Sequence, residues 1–253
     1  MFTSVPKHDL VSTVVGAVEA ALRKQLVFRR TISPTKRTTF ALDLALIALG
    51  CRCAWLVDVA VAQDAEEVYA DLLQILCQDH EVFDKVRHIR CSEQSFFVNM
   101  EQCQQTSASA TEVCFVLLRQ DPQLLPHPPP AILATLRTLA ATSALPPDLE
   151  SRTAIPLAGV LLGYAAAYVP DTDGAFLANA SLDVFACRVR TPTWDHAFLK
   201  FSCPAVLAAA HPERLAPTRI IGSLKTRFEP RLKELGLTLI VEHSTEIMDR
   251  VAL

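Results

Sequence analysis

Glycine is scarce in this chain: seven residues out of 253, scattered along its length. Neither GxGxxG nor GxxxxGKS/T occurs, so the glycine loops that cradle nucleotide phosphates are excluded. A GxSxG nucleophile elbow is missing as well. Cys51-Arg52-Cys53 lacks the two-residue spacing of a zinc knuckle, no second Cys/His pair answers it, and the histidines are not set as HExxH. The sequence therefore assigns no metal, no cofactor and no catalytic residue. Strong charge of either sign is also lacking. The net charge is −3 and the pI is near 6.2, which gives no overall attraction to nucleic acid or an anionic membrane. The opening residues do not read as a secretory leader, because Lys7, His8, Asp9 and Glu19 interrupt any apolar segment.

Hydrophobic residues make up 51% and charged residues 20%, enough to build a sizeable core. The eight cysteines mostly sit in apolar runs, where a reduced thiol packs as a small hydrophobe. Without a leader they are expected as thiols. Residues 153–170 carry no charge, but Pro156, Gly159, Gly163 and several alanines weaken any drive to insert, and the expectation is no membrane span. Six basic residues and no acid lie between Arg23 and Arg37, beside Ser33-Pro34. They read as a solvated helix end, or else as a targeting patch.

Hydrophobic spacing predicts a helix over 7–28, through Leu10, Val14, Val18, Leu22 and Leu26. A second helix, apolar nearly all round, is expected over 40–50, ended by Gly50. Cys53 to Val61 reads as the first strand. Asp64 and Glu67 then form a capping-box pattern ahead of a helix over 65–79. A strand at 85–91, a short helix at 95–104 and a buried strand at 112–118 follow. Five prolines between 122 and 130 mark a stiff connector and the best sub-boundary, at 120–130, in what otherwise reads as one domain over 1–253. Beyond it come helices at 131–145 and 154–162, then strands at 164–169, 182–190 and 197–203 as an antiparallel meander. A last helix that Pro230 should kink or split is capped by Gly236, before a strand at 237–241. The fold class is α/β: a mixed sheet flanked by helices, with a parallel βα-type N-terminal half and an antiparallel meander in the C-terminal half.

Asp58 is the main candidate site residue. A carboxylate in an apolar strand must be solvated, paired or functional. At the C-terminal end of a parallel strand it would share a rim with Ser92 and Glu93 after the second strand, and with Gln120 and Asp121 after the third. The alternative is an Asp that tidies a strand end. Cys203 reads as a packed thiol or as a nucleophile, the latter only if a base such as His196 reaches it. The basic face of the last helix, Arg219, Lys225, Arg227, Arg231 and Lys233, reads as solvated, balanced by Glu229 and Glu234.

Three stretches carry a family resemblance. They are Gly163-Tyr164 leading into a strand, Leu182 to Val189 followed by Phe198 to Pro204, and Leu42-Asp43-Leu44-Ala45 followed by Leu56-Val57-Asp58. Together they resemble an uncharacterised eukaryotic family, classed as a domain of unknown function and typified by a human chromosome 1 open-reading-frame protein. The resemblance spans most of the chain and implies one domain. It brings no activity and no site residue. The sequence thus points to a soluble intracellular protein, cytoplasmic or with access to the nucleus, acting by binding a protein or small-molecule partner. The alternative is an enzyme or a nucleotide or small-metabolite binder at the rim around Asp58. Nucleic acid and membrane are not expected as partners.

Overall fold

The computed structural model describes residues 7–58, 65–91, 94–119, 121–172 and 177–251. Helix α1 (Lys7–Lys24) buries Val11, Val14, Val18, Ala21 and Leu22. The chain breaks at Gln25 and restarts as α2 (Leu26–Thr31), which turns Phe28 inward and leaves Leu26 exposed. Helix α3 (Pro34–Ala48) begins earlier than its apolar run because Ser33 accepts a hydrogen bond from the Lys36 amide and Pro34 fits the first turn. Every residue from Phe40 to Ala48 is buried, and Gly50, at φ 70°, ends the helix.

The remaining elements follow in order. They are β1 (Ala54–Leu56), α4 (Ala65–Asp79), β2 (Val86–Cys91), β3 (Gln94–Asn99), α5 (Met100–Ser109), β4 (Cys114–Leu118), β5 (Gln123–Leu124), α6 (Pro130–Thr142), α7 (Ser151–Leu162) and β6 (Ala166–Pro170). Then come β7 (Leu177–Arg190), β8 (Asp195–Pro204), α8 (Ala205–Ala210), α9 (Pro212–Leu215), α10 (Pro217–Glu234) and β9 (Thr238–Val251). Among the described residues the strands form three three-stranded sheets, ordered β1-β3-β2, β5-β4-β6 and β8-β7-β9. The α/β class holds, with helices flanking small mixed and antiparallel sheets.

The strand directions depart from the expected layout in both halves. Residues 95–99 form a strand, not a helix, because Ser95-Phe96-Phe97-Val98 favours the extended state and Asn99 caps the helix that follows, accepting from the Gln102 amide. Strand β3 pairs antiparallel with both β1 and β2. Among the described residues the opening strand therefore has no parallel partner. The parallel pairing is β4 with β6, a crossover made through α6 and α7. Consequently residues 166–170 leave the expected C-terminal meander. There β7 takes β8 on one side and β9 on the other, both antiparallel. The proline connector is tied back to β4 through β5, and the Leu125 amide donates to the Phe115 carbonyl. Pro230 does not divide α10, which runs unbroken through it. Among the described residues no helix is long and apolar enough to cross a membrane.

The main core takes residues from Val11 in α1 to Leu237 before β9. A second apolar cluster lies among α5, α6, α7 and strands β1 to β4. Between sheet and helix stands an aromatic group. Phe40 meets Trp55 edge-on at 4.8 Å, and Trp55 stacks on its cross-strand partner Phe97 at 6.0 Å. Such ring pairs contribute about 0.5–1.5 kcal/mol beyond their buried area. This packing fixes the turn between α3 and β1, and that turn carries the site.

Candidate functional site

Two charges sit where the apolar pattern leaves least room for them. Asp43 lies in the buried run of α3 and is 6% exposed; Arg52 lies in the turn after α3 and is 4% exposed. They meet: Arg52 Nη1 donates to Asp43 Oδ1 at 3.1 Å, and His196 Nε2 reaches the same oxygen at 3.1 Å. The guanidinium carbon of Arg52 stands 5.4 Å from the ring centre of Phe198, whose ring meets Phe228 edge-on. A turn, a strand of the C-terminal sheet and α10 thus clamp one cation. Arg52 Nε is buried and has no hydrogen-bond partner among the described residues.

Arg52 lines a pocket of about 260 Å³ closed by the α3–β1 turn, α5, the end of α7 and α10. Its polar lining is three guanidiniums (Arg52, Arg227, Arg231), the amides of Gln102 and Gln105, and the hydroxyls of Thr106 and Ser109. Among the described residues no carboxylate lines it. Each of the two α10 arginines is aimed by a backbone carbonyl. Arg227 Nη1 donates to the Gly163 carbonyl at 3.0 Å, and Arg231 Nε donates to the Leu49 carbonyl at 2.9 Å. Gly163 has φ 85°, and a Cβ there would stand 3.1 Å from Phe228 Cζ and 3.5 Å from Arg227 Nη1. Only glycine lets the end of α7 approach α10 this closely without strain.

The electrostatics follow from burial. Loss of water drags the Arg52 pKa below its ordinary value, with Asp43 the chief opposing influence. Arg227 is lowered for the same reason, with Glu112 opposing. Burial pushes the Cys51 thiol up to about 12 despite the nearby Arg231 and Arg52 charges. Cys53 is raised well above its usual value, first by its hydrogen bond to Cys103 and then by burial. Both wall cysteines are therefore neutral thiols; the pocket offers an anion many donors, with Arg231 Nη1 also paired to Glu234 Oε2 at 2.8 Å on its outer side.

The other candidate residues are dispersed. Ser92, Glu93 and Gln120 lie outside the described residues, as do Val59 to Val61 and Asp64. Asp58 is exposed and follows a strand that ends at Leu56. It is thus not a carboxylate buried in a strand, and its strand has antiparallel pairing rather than the parallel rim envisaged. Its charge acts on Tyr69, whose phenol burial and Asp58 together push up to about 12. Asp121 is exposed beyond β4, a strand of a different sheet. Cys203 is a packed thiol, raised to about 12 mainly by burial, and the Nε2 of His196 faces Asp43. All eight cysteines are free, and among the described residues no group of three or more His, Cys, Asp or Glu side chains can hold a metal ion. On the basic face of the last helix, Arg227 and Arg231 turn into the pocket, whereas Arg219, Lys225 and Lys233 do not line it.

A lone charge in an apolar run, the signal at Asp58, belongs more to Asp43 and Arg52, which are buried where Asp58 is exposed. Both were legible on that signal. Their pairing was not, since nine positions of sequence do not say that a turn folds one back onto the other. Comparison with protein-family models, curated proteins and solved structures gave no match.

Proposed function

We propose that this chain is an intracellular, non-catalytic binding protein for a small phosphate-like anion, held by Arg52, Arg227 and Arg231. The observation that carries the reading is Arg52: a guanidinium buried in a pocket that no carboxylate lines, and whose Nε–H has no partner, among the described residues. Burying a cation costs several kcal/mol unless it is paired and hydrogen-bonded, and Asp43 shares its one engaged oxygen with His196. An oxyanion seated in the pocket completes the arrangement. Three guanidiniums, two amides and two hydroxyls supply more donors than the two oxygens of a carboxylate can use, which favours a tetrahedral oxyanion. Neutral thiols, and hydroxyls with no carboxylate or imidazole beside them among the described lining residues to act as a base, favour binding over turnover. Of the stretches that carry the family resemblance, Gly163 lines this pocket, and Asp43 and Phe198 contact its Arg52. Free thiols throughout suit a reducing compartment such as the cytoplasm.

Thermal unfolding in inorganic phosphate, against chloride at equal ionic strength, tests the reading. Stabilisation should follow RT ln(1 + [L]/Kd). Arg227→Gln and Arg231→Gln, on the accessible side of the site, should each weaken binding by roughly tenfold, the loss of one charge-assisted contact. A wild-type protein indifferent to phosphate up to millimolar concentration would sink the proposal.

A further inference from the structure

Beside the anion pocket runs a second, larger cleft of about 700 Å³, and the two share Ser109 and Arg227. Its floor is one side of α10. Thr218, Gly222 and Thr226 recur every fourth residue, with Arg219, Ser223 and Arg227 one step on, whereas the core side of the same helix carries Ile220, Leu224, Phe228 and Leu232. Glu112, Glu213 and Arg214 complete the polar wall. The Arg214 charge opposes the burial that pushes the Cys114 thiol up. A Cβ at Gly222 would meet nothing within 4 Å, so the packing does not require glycine at this spot, and its lack of a side chain leaves the cleft open.

We infer that the pocket and the cleft form one site for a polyol phosphate, a phosphate ester on a hydroxyl-rich carbon frame. The inference rests on the anion reading above and adds the class of ligand. The phosphate takes the Arg52, Arg227 and Arg231 end, and the polyol lies along α10. The cleft wall combines acceptors (Glu112, Glu213), donors (Arg214, Arg219) and the hydroxyls of Ser109, Thr218, Ser223 and Thr226, a mixture that suits a ligand whose every carbon bears a hydroxyl. Among the described residues no aromatic side chain lines the cleft and Cys114 is the one apolar side chain, so a nucleobase finds no ring or broad apolar face to stack on. The ligand is a free metabolite rather than a lipid headgroup. The large hydrophobic residues exposed among the described ones, Leu10, Leu26, Val27, Val206 and Ile247, do not border the cleft and give it no anchor for a bilayer.

Calorimetric titration with inorganic phosphate, myo-inositol monophosphate, free myo-inositol and AMP tests the assignment on the wild-type chain and on Gly222→Leu. That variant fills the cleft from an exposed helix position with open space, so it should fold. The inositol ester should bind roughly tenfold or more tighter than inorganic phosphate, and AMP no tighter than inorganic phosphate. Gly222→Leu should reduce the ester to the affinity of phosphate while phosphate itself is unchanged. If phosphate binds but the ester gains nothing, or keeps its gain in Gly222→Leu, the polyol assignment falls and the anion pocket stands. AMP binding as tightly as the ester overturns the class. Co-sedimentation with phosphatidylinositol phosphate vesicles without binding of the soluble ester overturns the free-metabolite source. No binding of phosphate or of the ester removes both readings.

Discussion

One carboxylate oxygen of Asp43 serves both Arg52 and His196, and that sharing sets what a substitution does. Asp43→Leu leaves a guanidinium buried without its counter-charge, and the expected loss is about 3–5 kcal/mol. Asp43→Leu combined with Arg52→Met removes both charges and should recover most of it. Urea unfolding of the two variants measures the difference, and a double variant as unstable as the single one would show that the pair is not what matters. His88 gives a second, pH-dependent case. Burial holds its imidazole below the ordinary 6.5, with Glu66 opposing and Arg90 reinforcing, and its Nε2 is buried without a partner among the described residues. The folded state therefore takes up this proton less readily than the unfolded chain. The contribution is intact above the unfolded pKa and is lost as pH falls through the lower, folded value. His88→Gln should flatten the decline in Tm between about pH 7 and pH 5, and equal slopes for variant and parent would contradict it.

Helix ends decide the geometry of the site, and Gly163 at the end of α7 is the most exposed to test. Gly163→Ala meets both a left-handed backbone and a Cβ that would stand 3.1 Å from Phe228 Cζ. The backbone strain alone costs about 1–2 kcal/mol, and the displaced Phe228 and Arg227 should weaken phosphate binding as well. Both losses are read from one thermal titration; a loss of stability with phosphate affinity intact would place Gly163 in the fold only. Element identity was largely legible, because Val11 to Leu22, Leu72 to Leu76 and Cys114 to Leu118 carry clear periodicity. Strand β3 was not. Its polar flanks, Ser95 and Asn99, read as helix, and only pairing on both sides makes Phe96 to Val98 the centre of a sheet. The β4–β6 partnership joins segments about fifty residues apart with two helices between, and no local pattern encodes such a pairing. The pocket escaped notice for the same reason. Arg227 and Arg231 look like a solvated helix face until the carbonyls of Gly163 and Leu49 arrive to hold them.

At the scale of the whole molecule, the main core draws on helices and strands from α1 through α10. Strand β9 is zipped to β7 from Leu177 opposite Val251 to Arg190 opposite Thr238. Unfolding should therefore be a single transition, with calorimetric and van't Hoff enthalpies equal. Two resolved transitions, separating near the proline connector, would show that the chain is two cooperative units. The pocket itself is assembled from four distant segments, 50–53, 102–109, 162–163 and 227–231. During synthesis, then, a nascent piece that lacks any of these segments lacks the complete pocket. Arg231 must leave the ribosome before the site exists, and by then the two strands of the β7–β8 hairpin have already been made. Capture of the proposed ligand therefore waits on residue 231, and nascent pieces that stop short of it should gain no protection from proteases by the ligand.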